Sequence, residues 1–510
     1  MRPHILFVAA EAAPLAKTGG LGDVVSALAE ALNRDGIHAT ILIPGYTAAL
    51  EQAMKLKPCA RLTDMPGGNA ALWCGHMPYS DVEVILLRND ALYQRPGSPY
   101  LDEHGDEFSD NGLRFAALSH AAARIASGAT DIEVPHVVHA HDWHAGLVPM
   151  LMREYGAEAK SIFTINNLAF QGNYPLGCAE EFGVPAAVRQ DGSVEYWGQL
   201  SFMKAGLNYA DRISTVSETY AREILTPKFG AGFDGMLRER AKDLVAVPNG
   251  IDTVSWDPTL DDLIARNYDH TDLRGKQVCK RELQKTFGLP FDTFAPVMAM
   301  GSRLTGQKMA DIAIEAIPVL LAAHPRLQIA ILGCGDRDIE AGLRELAARY
   351  PEHIGLHIGY DETRAHCLHA GADMLLHGSR FEPFGLTPLY AMRYGTVPIA
   401  SRVGGLADTI VDAGSVEEPV AHATGFLFEG ETVDDMVAAA DRALAMFAQP
   451  QLWRALQCED MAFEAGWEKS SQLYINLYRT LMAEPAQAMF QPVSREQPDP
   501  PMEPVAMKRA

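Results

Sequence analysis

The sequence predicts an α/β protein built from two doubly wound domains, and three observations lead there. Short, continuously apolar runs recur along the chain. Most are followed by a glycine-bearing loop and then a segment with apolar residues at helical spacing, and the same rhythm restarts near Pro296. Strands of this kind suit parallel sheets covered by helices on both faces. The 510 residues, 48% of them hydrophobic, are enough for two or three domains with cores of their own.

The first strand is read over His4 to Ala10, followed by a loop at Lys17 to Gly22 and a helix from Asp23 to Arg34. Further strands are expected at His38 to Pro44, Val82 to Leu87, Val137 to Ala140 and Ser161 to Ile165. The second series is Pro296 to Ser302, Gln328 to Gly333, Gly355 to Gly359, Asp373 to His377 and Val397 to Arg402. Asn249 to Pro290, with its Asp, Gly and Pro punctuation, reads as a connection plus a peripheral insertion. The domains are therefore drawn at 1–249 and 250–482. Residues 483–510 form a tail in which Pro485, Pro492, Pro498, Pro500, Pro501 and Pro504 leave too little apolar content for a core, so disorder is expected.

A formal charge of −22, from 43 basic and 65 acidic residues, works against a general role on nucleic acid or an anionic membrane. The seven cysteines are odd in number and scattered, with no Cys-x-x-Cys pair, so neither a disulfide framework nor a zinc ribbon is indicated. A reducing compartment follows. The apolar opening is cut by Glu11 and Pro14, which marks a buried strand rather than a signal peptide, and no run is long enough to span a membrane. The expectation is a soluble cytoplasmic protein.

Ligands of open α/β sheets bind beyond the carboxyl ends of the strands, so chemistry is sought in the loops that follow them. Lys17-Thr18-Gly19-Gly20-Leu21-Gly22-Asp23 opens a helix after the first strand, a place for an anion or a merely structural turn. Arg303 and Lys308, five residues apart after the strand at Pro296, suit a diphosphate leaving group; the alternative is a solvated basic loop. In Ser379 to Pro388, the amides of Gly385, Leu386 and Thr387 are placed to hold a phosphate, while Glu382 reaches a sugar hydroxyl or serves only the helix dipole. The cluster His139-Ala140-His141-Asp142-Trp143-His144 invites a metal, but its spacing reproduces no zinc signature. Asp142 beside Trp143, a carboxylate next to an aromatic platform, suits a pyranose ring.

Together these stretches resemble bacterial glycogen synthase and plant starch synthase, over essentially everything but the tail. The matching segments are Lys17 to Leu21, His139 to Gly146, Pro248-Asn249-Gly250-Ile251-Asp252, Ser302 to Thr305, Ser379 to Thr387, Tyr394-Gly395-Thr396 and Gly404 to Thr409. The resemblance implies a GT-B fold, two facing Rossmann-like domains with the active site in the cleft between them, the first on the acceptor side and the second holding the nucleotide sugar. It implies transfer of glucose from ADP-glucose to the non-reducing end of an α-1,4-glucan primer, with retention of configuration and no cofactor or metal. Lys17, Arg303 and Lys308 would contact the donor diphosphate, with the backbone after Glu382, at Gly385, Leu386 and Thr387, completing the phosphate site, and Gly20 would bind substrate. Glu382 would hold the transferred glucose, Tyr360 would pack on adenine, and Asp142, Trp143, Asn166 and Asn249 would lie near the sugar and acceptor.

Four departures stand out, one of them Pro388 where the family has glutamine. Asn166 replaces the family's active-site histidine, and an amide hydrogen-bonds a hydroxyl but never becomes cationic. Phe384 stands where the family has cysteine, and Met309 where a glycine usually follows the lysine. They keep open a related transferase with an altered donor or acceptor, and a catalytically weak glucan-binding homologue. A metal-dependent hydrolase rests on the histidine cluster alone.

Overall fold

A computed structural model describes residues 2–485. The chain divides into two units: the first runs to Gly250 and resumes at Trp467, and the second is Ile251–Gly466.

In the first unit the strands are β1 (His4–Val8), β2 (His38–Pro44), β3 (Met54–Leu62), β4 (Ala70–His76), β5 (Glu83–Arg88), β6 (Val137–His141), β7 (Lys160–Ile165), β8 (Asn173–Pro175), β9 (Glu195–Tyr196), β10 (Gln199–Ser201), β11 (Arg212–Thr215) and β12 (Leu244–Ala246). The main sheet has the order β12-β11-β7-β6-β1-β2-β5-β4-β3. From β12 to β5 every neighbouring pair is parallel, while β4 runs antiparallel to both β5 and β3. Every residue of β1 and β6 is buried, as a strand covered on both faces requires. The short strands β8, β10 and β9 make a separate antiparallel sheet.

The second unit holds β13 (Val297–Gly301), β14 (Gln328–Gly333), β15 (Ile354–Ile358), β16 (Met374–His377), β17 (Val397–Ser401) and β18 (Phe426–Phe428). Their order, β15-β14-β13-β16-β17-β18, all parallel, is the 3-2-1-4-5-6 order of a dinucleotide-binding sheet. Its strand order reverses between β13 and β16. In the first unit the same reversal falls between β1 and β6.

The structure corrects the expected boundaries in two places. Residues up to Pro290 are no peripheral insertion, because the helix Arg274–Thr286 is built into the second unit. Its Leu283 is fully buried, and its Lys280 Nζ pairs with Asp373 Oδ2 at 2.6 Å, both side chains nearly inaccessible. Likewise the helix Glu468–Ala483, expected in the second domain, belongs to the first unit. Ser471 Oγ donates to Asp35 Oδ2 at 2.6 Å, and the Tyr478 hydroxyl meets His139 Nδ1 at 2.8 Å on β6. The expected tail from residue 483 overlaps the end of this helix, and Glu484 pairs with Arg212. Its remainder from 486 lies outside the described residues.

The cysteines also differ from expectation, since Cys59 and Cys74 form a disulfide across β3 and β4. No helix among the described residues is long and apolar enough to cross a membrane.

Candidate active site

The expected residues gather at the carboxyl ends of strands, in one cluster per unit. In the first, β1 leads into the loop before the helix Gly20–Arg34, and β6 leads into Asp142. The loop amides are already engaged. Glu11, buried, accepts Thr18 N–H at 2.6 Å and Gly19 N–H at 3.2 Å through Oε2, and takes the Tyr100 hydroxyl on Oε1. The amides expected to hold an anion therefore organise the loop, and burial pushes the Glu11 carboxyl above its ordinary range. Gly20 is exposed at the helix start, and Lys17 Nζ lies 3.1 Å from Asp23.

Asp142 has φ +56° and ψ −178°, a region nearly confined to glycine. Its Oδ1 accepts the backbone N–H of Asn166 at 2.8 Å and of Asn167 at 3.1 Å, which holds the turn after β7 against the turn after β6. Burial pushes its carboxyl up to about 7, against the downward pull of those two amides. Asn166 Nδ2 stands 3.5 Å from His141 Nδ1, and Asn166 Oδ1 and His141 Nε2 are buried with no protein partner. Burial lowers His141 to about 3, so the ring is neutral.

Trp143 is less open than a sugar platform requires. Phe115 meets it edge-on at 5.1 Å, His144 packs at 4.2 Å, and a Cβ on Gly172, whose φ is +59°, would lie 2.3 Å from the indole. The ring braces the Asp142 turn. In the histidine cluster, His139 is engaged at both nitrogens, by Tyr478 and by Thr164 Oγ1 at 2.5 Å, so it has none left for a metal. Asn249 is half-buried in the segment after β12.

In the second unit the cluster straddles the switch point. After β13, Gly306–Lys308 forms one 3-10 turn, and after β16 the chain runs through Ser379 to Gly385 into the helix Leu386–Arg393. The two loops are tied together: Arg380 N–H donates to Gln307 O at 2.9 Å, Gln307 Nε2 to Phe381 O at 3.2 Å, and Arg380 forks onto Asp311 at 2.9 and 2.8 Å. Across this joint Lys308 Nζ is paired with Glu382 Oε2, their side chains 12% and 8% exposed. His377 Nε2 at 3.1 Å and Ser379 Oγ at 3.0 Å reach the same oxygen. Burial alone would raise the Glu382 carboxyl, but Lys308 and then His377 outweigh it and hold it well below the carboxylate range. Burial lowers Lys308 and Arg303, only partly offset by Glu382.

Arg303 Nη2 donates to Gln307 Oε1 at 3.0 Å. Leu386 and Thr387 open a helix capped by Gly385 at φ +93°, and the first amides of a helix have no intrahelical acceptor. Arg303, Lys308, Glu382 and this helix start therefore come together, an anion site beside a fixed carboxylate. Tyr360 stands apart after β15, 68% exposed with its hydroxyl on Glu362. The substituted positions are accommodated: Phe384 is buried, and Met309 takes the left-handed conformation, φ +50°, that a glycine adopts freely. Sequence reading missed Glu11, Tyr100, His377 and Ser379. Only Glu11 carried a signal, as a carboxylate interrupting an apolar strand.

The family model for the starch synthase catalytic domain matches residues 4–239, and that for glycosyl transferases group 1 matches residues 284–453. The glycogen synthase of Ralstonia nicotianae is 53% identical over 482 residues, 94% of this chain and 88% of its own length. The chain belongs to the glycogen and starch synthase family. A second family member, the glycogen synthase of Bordetella petrii, is 53% identical over 95% of this chain and 94% of its own. The catalytic domain of Arabidopsis thaliana starch synthase IV, solved with ADP and acarbose, superposes with a TM-score of 0.85 at 28% identity, covering 95% of this chain and all of that one. As in this family, the chain is a glycosyltransferase of the GT-B fold class, transferring hexose.

Proposed function

We propose that the protein extends an α-1,4-glucan by moving glucose from ADP-glucose to its non-reducing end, with retention of configuration. The observation that carries this is the Arg303, Lys308 and Glu382 cluster at the open end of the helix Leu386–Arg393. Two cations and a helix start receive a diphosphate, while an ionised, immobile carboxylate receives sugar hydroxyls. The second unit thus binds the nucleotide sugar, with the exposed Tyr360 ring stacking on the base. As the bond from C1 to the diphosphate oxygen breaks, its electron pair leaves with ADP, and Arg303 and Lys308 stabilise the charge. The acceptor hydroxyl forms its bond to C1 on the same face and passes its proton to the departing phosphate, so no separate base, metal or prosthetic group enters.

The first unit takes the acceptor. Asn166 Oδ1, buried and unpartnered, offers a hydroxyl an acceptor where the family has histidine. Lys17 and Gly20 add donor contacts, and Asn249 and Asp142 line the sugar. The cytoplasm is the proposed location, to be checked by fractionation. The test of function is incorporation of labelled glucose into glycogen, with ADP-glucose and UDP-glucose in parallel. Incorporation from ADP-glucose is expected; its absence with both donors, while another hexose donor is consumed, overturns the assignment in favour of an altered specificity.

A further inference from the structure

At the opposite end of the first unit's sheet, His4 and His38 are the first residues of the neighbouring parallel strands β1 and β2 and are register partners. Their rings stack, with centroids 4.4 Å apart and planes 22° from parallel. Glu133, in the segment leading into β6, presents Oε2 4.0 Å from His38 Nδ1, and Glu83 at the start of β5 presents Oε2 3.4 Å from His38 Nε2. His4, His38 and Glu133 each offer one ligand atom, all within 4.8 Å of one another. No other group of three histidine, cysteine or acidic residues among the described residues does so.

A second observation is independent of that spacing. His4 is 2% exposed; its Nε2 is held by Thr40 Oγ1 at 3.1 Å, while its Nδ1 is buried with no partner at all. A buried polar atom without a partner costs free energy that a ligand would recover. His4 is also fixed in place, since its N–H donates to His136 Nδ1 at 3.0 Å and its carbonyl accepts His136 N–H at 2.8 Å.

We propose that His4, His38 and Glu133 form a site for a borderline divalent transition metal such as zinc, clamping the starts of β1 and β2 to the segment before β6. Two imidazoles and one carboxylate are a recurrent zinc ligand set, with a fourth position for water, while Glu83 stays on the other nitrogen of His38. Zinc bonds of about 2.0–2.1 Å put tetrahedral ligand atoms roughly 3.3 Å apart, so the set must contract. The motion falls to His38, a quarter exposed, which must turn out of its stack on the fixed His4 ring so that both lone pairs meet at the metal, and to Glu133, whose side chain is 67% exposed. The site lies at the amino ends of the strands, so it is structural and separate from the transfer chemistry.

The test uses the full chain stripped with chelator and titrated with cobalt(II), then displaced with zinc. One equivalent of cobalt is expected, with the visible d–d bands of a nitrogen and oxygen set and no thiolate charge-transfer band. Because His4 is buried, the variants are Glu133→Ala and His38→Ala, with circular dichroism to confirm the fold. Each should weaken zinc at least about tenfold, and zinc should raise the melting temperature of the unmodified chain but not of the variants. A thiolate band, failure to bind cobalt, or unchanged affinity in both variants would overturn the proposal.

Discussion

Lys308→Ala tests the reasoning where it is most exposed. Lys308 neutralises Glu382 in the unliganded protein, and it supplies positive charge to the departing diphosphate. Loss of one preorganised group at a developing charge typically lowers kcat by about 10²–10³-fold. The same truncation leaves Glu382, 8% exposed, with only His377 and Ser379. Breaking a buried ion pair costs about 3–5 kcal/mol, and the remaining partners place this one toward the lower figure. The pH dependence separates the two effects. In the native protein the Glu382 carboxyl is depressed, so its stabilisation is complete above the unfolded value of about 4.3 and is lost only as pH falls through the lower folded value. Without Lys308, burial dominates and raises that carboxyl above the unfolded value. The variant then loses stability as pH climbs, and the gap in melting temperature from the native protein widens between about pH 5 and about pH 8. Glucose incorporation at saturating ADP-glucose reads kcat, and thermal melts across that range read linkage. A variant with unchanged kcat, or a gap that is flat in pH, refutes the paired role.

Three further outcomes follow from the geometry. Asp142 binds a proton in the fold that the unfolded chain has released, so its contribution to stability shrinks as pH rises from about 4 toward 7, the region to which burial lifts it. Asp142→Asn should flatten that slope in urea melts and cut transfer at least about tenfold, and an unaltered slope would show the carboxyl to be solvated. Gly405→Ala should destabilise more than Gly385→Ala, because the new Cβ meets Phe384 backbone atoms at 2.3 and 2.4 Å at 405 but a flexible Leu406 methyl at 2.6 Å at 385, where φ is +93°; chemical denaturation giving the reverse order would contradict this. At 309, where φ is +50°, Met309→Gly should be more stable than Met309→Ala by about 1 kcal/mol, the inverse of the usual order, with both below the native protein through lost packing.

The strands that carry the site were legible because they are apolar throughout. β1, β2, β5, β6, β7 and β13 to β17 fall within two residues of their expected spans. The edge strand β3, Met-Lys-Leu-Lys-Pro-Cys-Ala-Arg-Leu, was not, since most of its residues face solvent and Pro58 argues against a strand interior. With β3 and β4 unread, Cys59 and Cys74 had no reason to meet. The helix Glu468–Ala483 could not be assigned to the first unit from sequence, because its partners Asp35 and His139 are hundreds of residues away. At the site, Arg303, Lys308 and Glu382 were found through their charge after a strand. His377 and Ser379 escaped because a polar residue at a strand end looks the same whether it touches a carboxylate or water. Trp143 was read as a platform because sequence does not show which face of a ring is covered.

The return of the chain to the first unit at Trp467 has a consequence for biosynthesis. Tyr478 caps β6 from a helix that ends at Ala483, so the first unit cannot close when Gly250 leaves the ribosome. At about 5–20 residues per second, the whole intervening unit takes on the order of tens of seconds to emerge. Through that interval the surface around His139 awaits its cover, and the nascent protein depends on the later unit folding promptly and apart from it.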